Sequence, residues 1–228
     1  LQSNFRLLTS RLAPSCQPAA VVKADAYGIG IETAVPALEK AGAKFFYVAH
    51  FAEALEVRAL TALPIAVLGG LPKRAARDYK ENRIIPVLNS AEDIDSCPAH
   101  LPSIWHIDTA MNRLGLPCSE VSSLASTVRA MPLMLMTHFT SSDEQSPTQS
   151  IRQVERFDTC IAALPKPFQL LPQSICNSSG LFRNSDWHRA QVRPGIALYG
   201  GNPTPEASNP MKAVIGWEAK VLQIRHAR

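Results

Sequence analysis

Short apolar runs alternate along the chain with longer amphipathic stretches. Eight short runs have the residues that are typical of β-strands. The predicted strands cover residues 19–24, 45–50, 64–70, 84–89, 103–109, 133–139, 173–178 and 190–195.

The stretches between these strands place apolar residues at helical spacing, and the clearest are 51–62, 71–82, 119–131 and 146–164. Strict alternation of strand and helix predicts an α/β fold with helices outside a parallel sheet. Eight strands indicate a (β/α)₈ TIM barrel, and a doubly wound open sheet is the alternative. Two segments fit less well. Pro36 lies inside the first helix candidate, and segment 90–100 is short for a crossover helix.

The end of the chain differs in composition from the rest. Residues 200–210, GGNPTPEASNP, have the proline content of a linker, and residues 216–228 again have strand character. We therefore expect a barrel over residues 1–212, and the first strand of a C-terminal β-domain over residues 213–228.

Composition excludes several classes of function but does not assign one. A hydrophobic fraction of 46% supports a folded core, and a net charge of +4 is too weak to indicate nucleic acid. The five cysteines include no C-x-x-C pair, so we expect neither a metal site nor a disulfide framework, and a cytoplasmic location. No apolar run has the length of a membrane span.

Unusual polar residues occur where the predicted strands end. In a TIM barrel, the carboxyl ends of the strands form the rim that carries catalysis. One such residue would ordinarily be a side chain that reaches solvent, but six of them on one rim predict a site. They are Lys23, Asp108, His138, Asn177, Ser178 and Arg193.

A phosphate site is indicated independently by the loops after strands seven and eight, which usually bind phosphate in this fold. They read NSSG (177–180) and RPGIALYG (193–200). Ser178 offers a hydroxyl, and the N–H groups of Gly195 and Ile196 could point at phosphate oxygens. A desolvated lysine beside such a site suggests a Schiff base, with pyridoxal phosphate or in an aldolase.

Five segments together resemble the motifs of the alanine racemases. They keep the order and rough spacing of that family across nearly the whole chain. They read VVKADAYGIG (21–30), HIDTAMNRLGL (106–116), MTHFTSSDE (136–144), ICNSSGLF (175–182) and VRPGIALYG (192–200).

The resemblance implies a pyridoxal 5'-phosphate (PLP) cofactor and interconversion of L-alanine and D-alanine, which supplies D-alanine for peptidoglycan. Lys23 would hold PLP and act as the base on one face of the substrate. Tyr27 and Ser178, with the backbone at Gly195 and Ile196, would contact the phosphate.

The resemblance assigns the remaining residues to the ring and the substrate. Arg193 would face the pyridine nitrogen, His138 would support Arg193 and the ring, and Asn177 would belong to the same pocket. Arg113 would bond the phenolic oxygen of the cofactor and help bind the substrate carboxylate. The catalytic residues would thus be Lys23, Arg193 and His138.

Some positions depart from the family pattern. Ile29 and Ala110 replace a histidine and a glycine, and His106 stands where many relatives carry a lysine, often carbamylated. The second base of the family, a tyrosine, would lie beyond Arg228 and act across a head-to-tail homodimer. A racemase for serine or for a broader range of amino acids is one alternative. A non-catalytic single-barrel PLP-binding protein is another, and decarboxylases of the same fold type fit less well.

Overall fold

The computed structural model describes residues 1–128, 130–216 and 218–226. In this part of the chain, all strands run parallel and belong to one sheet. The strands are β1 (Gln17–Pro18), β2 (Ala20–Val21), β3 (Phe46–Val48), β4 (Ile65–Val67), β5 (Ile84–Leu88), β6 (Ile104–Asp108), β7 (Leu116–Pro117), β8 (Met134–Met136), β9 (Gln173–Ser174) and β10 (Gln191–Val192).

The sheet follows the order β1-β10-β9-β8-β6-β5-β4-β3-β2, and β7 pairs with β6 beside this path. β1 and β2 form one continuous strand that joins the two edges of the sheet. Ala19 N donates to Val192 O at 2.9 Å and Val21 N to Pro194 O at 3.1 Å, while Ala20 N donates to Phe45 O on the other side. The sheet therefore closes into a barrel, and the open-sheet alternative is wrong.

Helices connect the strands and cover the outside of the barrel, apart from α2 (Lys23–Gly28), which is a left-handed turn at the rim. They are α1 (Gln2–Thr9), α2 (Lys23–Gly28), α3 (Ile31–Ala41), α4 (Phe51–Arg58), α5 (Ala76–Glu81), α6 (Ala91–Ser96), α7 (Cys118–Thr127), α8 (Thr148–Ala162), α9 (Lys166–Gln169) and α10 (Ser178–Arg183). α3 continues through Pro36, whose side chain is exposed, so the ring costs the helix one backbone hydrogen bond and no core packing.

The core has two layers because most strands bury both faces. In β3, Phe46 and Val48 pack outward against the helices, and Tyr47 points into the barrel. The interior layer is small. It consists of Ala19, Val21, Tyr47, Ala66, Val87, Ile104 and Met136. Burial on both faces explains why strands such as β3 and β4 are apolar throughout.

All eight predicted strands are present, and each is shorter than predicted at its carboxyl end. Lys23, Ser178 and Gly195 therefore lie just beyond strands rather than within them. The paired segment β7 was not predicted, because two residues carry no periodicity. The predicted short segment after β5 contains only the six-residue helix α6.

The proline-rich segment is anchored to the barrel at its far end. Asn4 donates to Lys212 O at 2.8 Å and accepts from Lys212 N at 2.8 Å. Residues 218–226 form neither helix nor strand, while Trp217, Ala227 and Arg228 lie outside the described residues. The assignment of 213–228 to a second domain thus stays a prediction. In the described residues, no helix is long and apolar enough to cross a membrane.

Candidate active site

One cavity of about 200 Å³ lies at the carboxyl-terminal rim of the barrel. It brings together all but one of the residues that the sequence predicted for the site, although those residues come from both ends of the chain. The predicted residues that line it are Lys23, Tyr27, Arg113, His138, Asn177, Ser178, Arg193, Gly195 and Ile196. Asp108, which was also expected at the rim, is not part of the lining and instead supports a loop.

Lys23 enters the cavity from a turn of opposite hand to an α-helix. Ala24 to Tyr27 have φ between 50° and 58°, the left-handed region that L-residues avoid at about 1–2 kcal/mol each. Specific contacts hold the turn. Glu53 accepts from Ala24 N at 2.7 Å, and Asp25 accepts from Ile31 N at 2.8 Å. The sequence predicted a turn here, but not its hand.

Tyr27, at the end of this turn, contacts Gly195 in the wall of the cavity. A Cβ on Gly195 would lie only 2.3 Å from Tyr27 Oη, so glycine is required by this close approach. The Tyr27 ring stacks on Tyr199 with centroids 4.5 Å apart. Burial raises the pKa of Tyr27, which keeps its phenol protonated and able to donate a hydrogen bond.

Ser178 lies next to this pair at the start of α10. Its Oγ accepts from Gly195 N at 3.0 Å and from Ala197 N at 3.2 Å. The Gly195 N–H was expected to point at an anion, and in the structure it donates to Ser178 instead. With both N–H groups directed at its oxygen, the Ser178 hydroxyl keeps its own hydrogen available for an anion in the cavity.

Arg193 is the most deeply buried cation of the site, with 4% of its surface exposed. Its guanidinium donates to Ser174 Oγ and to the carbonyl oxygens of Thr137 and Ile175. These partners are neutral, so the positive charge of Arg193 remains uncompensated by a bonded carboxylate. The side chain is held in one orientation by three acceptors from β9 and the ends of the neighbouring strands.

His106 is fixed in one tautomer by Asn89. The amide nitrogen of Asn89 donates to Leu68 O at 2.9 Å and to Val87 O at 3.0 Å, so its oxygen is an acceptor. His106 Nδ1 lies 2.8 Å from that oxygen and must carry the hydrogen. Burial, and then the charge of Arg193, lower the pKa of His106 to about 3.

The charges around the cavity are of one sign. Lys23, Arg113 and Arg193 line it, and no aspartate or glutamate does so among the described residues. Burial, followed by Arg193 and Arg113, also holds the pKa of His138 well below its ordinary value, so both histidines are neutral. The site is therefore suited to a ligand with several negative charges.

Comparison with known proteins assigns the family. The model of the family described as "Alanine racemase, N-terminal domain" matches residues 1–203. This chain belongs to the alanine racemase N-terminal domain family.

Individual relatives agree with that assignment. The chain is 41% identical to the alanine racemase of Methylobacterium nodulans over 236 residues, covering 99% of this chain and 62% of the relative. It is 38% identical to the alanine racemase of Rhodospirillum rubrum, covering 99% and 63%. The chain thus spans about three fifths of the length of these relatives.

Solved structures of the family share the fold. The alanine racemase of Bartonella henselae, which has covalently bound pyridoxal phosphate, superposes with a TM-score of 0.85 at 35% identity over 93% of this chain and 62% of that one. The alanine racemase of Corynebacterium glutamicum gives a TM-score of 0.85 at 26% identity over 93% and 64%. The barrel prediction is confirmed.

The expected support of Arg193 by the His138 ring stays a prediction. The structure shows no hydrogen bond between the two side chains in the part of the chain that it describes. The backbone oxygen of His138 accepts from Gln153 Nε2 at 3.0 Å, and Ser174 Oγ accepts from the Arg193 guanidinium. The sequence analysis missed Ser174, whose only signal was a polar residue inside an apolar strand.

Arg113 lies on a loop whose shape is set by Asp108. Asp108 Oδ1 accepts from the N–H groups of Ala110, Met111 and Asn112 at 2.9–3.1 Å. Ala110, which departs from the motif that this segment resembles, has φ +85°, a backbone conformation that favours glycine. The loop keeps this shape with alanine because the carboxylate of Asp108 holds three consecutive amides.

Proposed function

We propose that this chain is the cofactor-binding barrel of a PLP-dependent racemase that interconverts L-alanine and D-alanine. The observation that carries the proposal is one cationic cavity that gathers an amine, two hydroxyls and a buried guanidinium. Family membership and the Bartonella henselae structure support the same cofactor. When bound, PLP would supply an electron sink that makes the hydrogen on the substrate Cα acidic.

The residues of the cavity fit the charged groups of PLP. Tyr27 and Ser178 each offer a hydroxyl hydrogen at the wall where Gly195 lets the backbone approach closely. These groups would hold the phosphate. Arg113 would bind the phenolic oxygen and the substrate carboxylate. Asn177 supports this wall, because its Oδ1 accepts from Gly180 N at 2.9 Å and so fixes the start of α10.

Lys23 and Arg193 would carry out the chemistry. Lys23 would hold the cofactor covalently and then move a proton to and from one face of the substrate Cα. Arg193 would donate to the pyridine nitrogen without protonating it, because guanidinium does not give up its proton. Negative charge would then stay at Cα, where return of a proton gives racemisation. His138, held neutral, would pack beside this pair without adding a further positive charge.

A second base is needed because racemisation removes a proton from one face of Cα and returns one to the other. The resemblance places this base, a tyrosine, beyond Arg228, contributed by the partner in a head-to-tail homodimer. The apolar side chains of Val221, Leu222 and Ile224 are 76–96% exposed, which supports their assignment to a further domain. We further propose a cytoplasmic enzyme that supplies D-alanine for peptidoglycan.

The decisive experiment tests Lys23 as the attachment point. The protein with PLP added should absorb visible light, and borohydride reduction followed by peptide mapping should mark Lys23. Lys23→Arg should abolish the label, whereas Lys40→Arg, an exposed lysine at the end of α3, should keep it. A label on another lysine would contradict the assignment.

A further inference from the structure

Two cysteines with no part in the cavity lie side by side on the outside of the barrel. Cys118 is the first residue of α7 and is partly exposed, and Cys160 lies in α8 with 7% of its surface exposed. The Cys160 thiol donates to the backbone oxygen of Cys118 at 4.0 Å, which places the two thiols next to each other. The two thiols are separated by 42 residues in sequence, so only the packing of α7 on α8 brings them together.

The surroundings of Cys118 favour a thiolate. The adjacent Cys160 thiol has the largest effect on the pKa of Cys118, the charge of Arg156 adds to it, and the first turn of a ten-residue helix contributes further. Together they lower the pKa of Cys118 below that of an ordinary thiol, against the opposing effects of partial burial and of Asp108. The other thiols differ, because burial raises the pKa of Cys97 and raises that of Cys16 to about 11.

We propose that Cys118 and Cys160 form a modification site, in which a peroxide oxidises Cys118 and Cys160 closes a disulfide between α7 and α8. The Cys118 thiolate attacks a peroxide oxygen, the O–O bond breaks, hydroxide leaves and a sulfenic acid forms. The Cys160 thiol then attacks that sulfur, the S–O bond breaks, and the departing hydroxide takes the Cys160 proton. Overall, two thiols lose two electrons and hydrogen peroxide is reduced to two waters.

The modification would change the loop that carries Arg113, because Cys118 and its neighbour Pro117 contact Asp108 at the base of that loop. The Cys118 thiol donates to Asp108 O at 3.5 Å, and Pro117 pairs with Asp108 where β7 meets β6. Asp108 in turn holds the three amides of that loop. A disulfide has no hydrogen to donate to Asp108 O, so oxidation should loosen the loop relative to the form in which Cys118 is a protonated thiol.

Reactivity of the reduced protein gives the first test. The pKa of Cys118 is lowered and that of Cys97 is raised, so more of Cys118 is thiolate at pH 7. For each unit of pKa difference, the thiolate fraction rises about tenfold while thiolate nucleophilicity falls about threefold, which leaves about a threefold advantage in rate. Iodoacetamide should therefore label Cys118 at least about threefold faster than Cys97, which is similarly exposed. Equal rates, or faster labelling of Cys97, would overturn the proposal.

Oxidation gives the second test. Stoichiometric hydrogen peroxide should remove two hydrogen atoms from the intact mass, reversibly with dithiothreitol, and peptide mapping should join Cys118 to Cys160. In Cys160→Ser, whose hydroxyl can still donate a hydrogen bond, dimedone should instead trap the sulfenic acid on Cys118, while Cys97→Ser should behave as wild type. A different disulfide, or direct oxidation of Cys118 to sulfonic acid, would overturn the proposal. Amide exchange at residues 110–112 should accelerate on oxidation, and unchanged exchange would refute the link to the loop.

Discussion

The contact between Gly195 and Tyr27 makes a sharp prediction for Gly195→Ala. The new methyl group would lie 2.3 Å from Tyr27 Oη and 3.1 Å from Cζ, so the tyrosine must move. Moving the Tyr27 side chain costs free energy, because its ring is stacked on Tyr199 and its backbone is held in the left-handed region. Tyr199 is itself fixed, since its hydroxyl donates to Val21 O at 2.9 Å.

The expected cost follows from two contributions. Forcing a methyl group into a packed contact costs about 1–3 kcal/mol, and disturbing an aromatic pair costs about 0.5–1.5 kcal/mol more. We therefore expect Gly195→Ala to lower the free energy of unfolding by about 1.5–4.5 kcal/mol. For a chain of this size, that corresponds to a fall of about 3–18 °C in the unfolding midpoint.

A double-mutant cycle with Tyr27→Phe isolates the contact. Tyr27→Phe removes the atom that clashes and breaks no hydrogen bond that the structure shows within its described residues. The double variant should therefore recover at least about 1 kcal/mol relative to the sum of the single changes. Gly216→Ala is the matched control, because no atom lies within 4 Å of its Cβ position. Additive effects, or a loss below about 0.5 kcal/mol for Gly195→Ala, would refute the reasoning.

Two further predictions concern His106 and Ala110. Since the folded pKa of His106 is about 3, only the unfolded chain takes up its proton below about pH 6.5. The free energy of unfolding should thus fall with decreasing pH by up to about 1.4 kcal/mol per unit from this residue, and His106→Gln should remove that slope in urea titrations. An unchanged slope would mean that the folded protein protonates His106. Because Ala110 has φ +85°, Ala110→Gly should stabilise the protein by about 0.5–1 kcal/mol in urea unfolding, whereas Ala37→Gly within α3 should cost about 1 kcal/mol. Destabilisation by Ala110→Gly would show that the loop is not strained.

The sequence identified the site because barrel topology collects strand ends at one rim. Lys23 and Arg193 lie at the carboxyl ends of predicted strands. A barrel places all such ends at one rim, so the fold class alone predicts that the two side chains are close. Their supporting partners were not predictable in this way. Ser174 bonds Arg193 from a neighbouring strand, and the Asn89 amide that fixes His106 belongs to another.

The hand of the turn after Lys23 also escaped prediction, for a different reason. Gly28 and Gly30 indicate a turn, but the left-handed residues before them are alanine, aspartate and tyrosine, whose local sterics oppose that conformation. Only contacts with other elements, such as Glu53 on α4, hold them there. Conformations imposed by distant contacts leave no local pattern in a sequence.

Closure of the barrel between β1–β2 and β10 has a consequence for synthesis of the chain. The hydrogen bond from Tyr199 to Val21 spans 178 residues, and that from Asn4 to Leu198 spans 194. At about 5–20 residues per second, roughly 9–36 s separate the translation of Val21 from that of Tyr199. During that interval the first strand has no partner on one side and the left-handed turn lacks its tyrosine stack. A nascent chain therefore cannot bind a ligand at this rim, and its exposed first strand makes it a client for chaperones until the last strand is made.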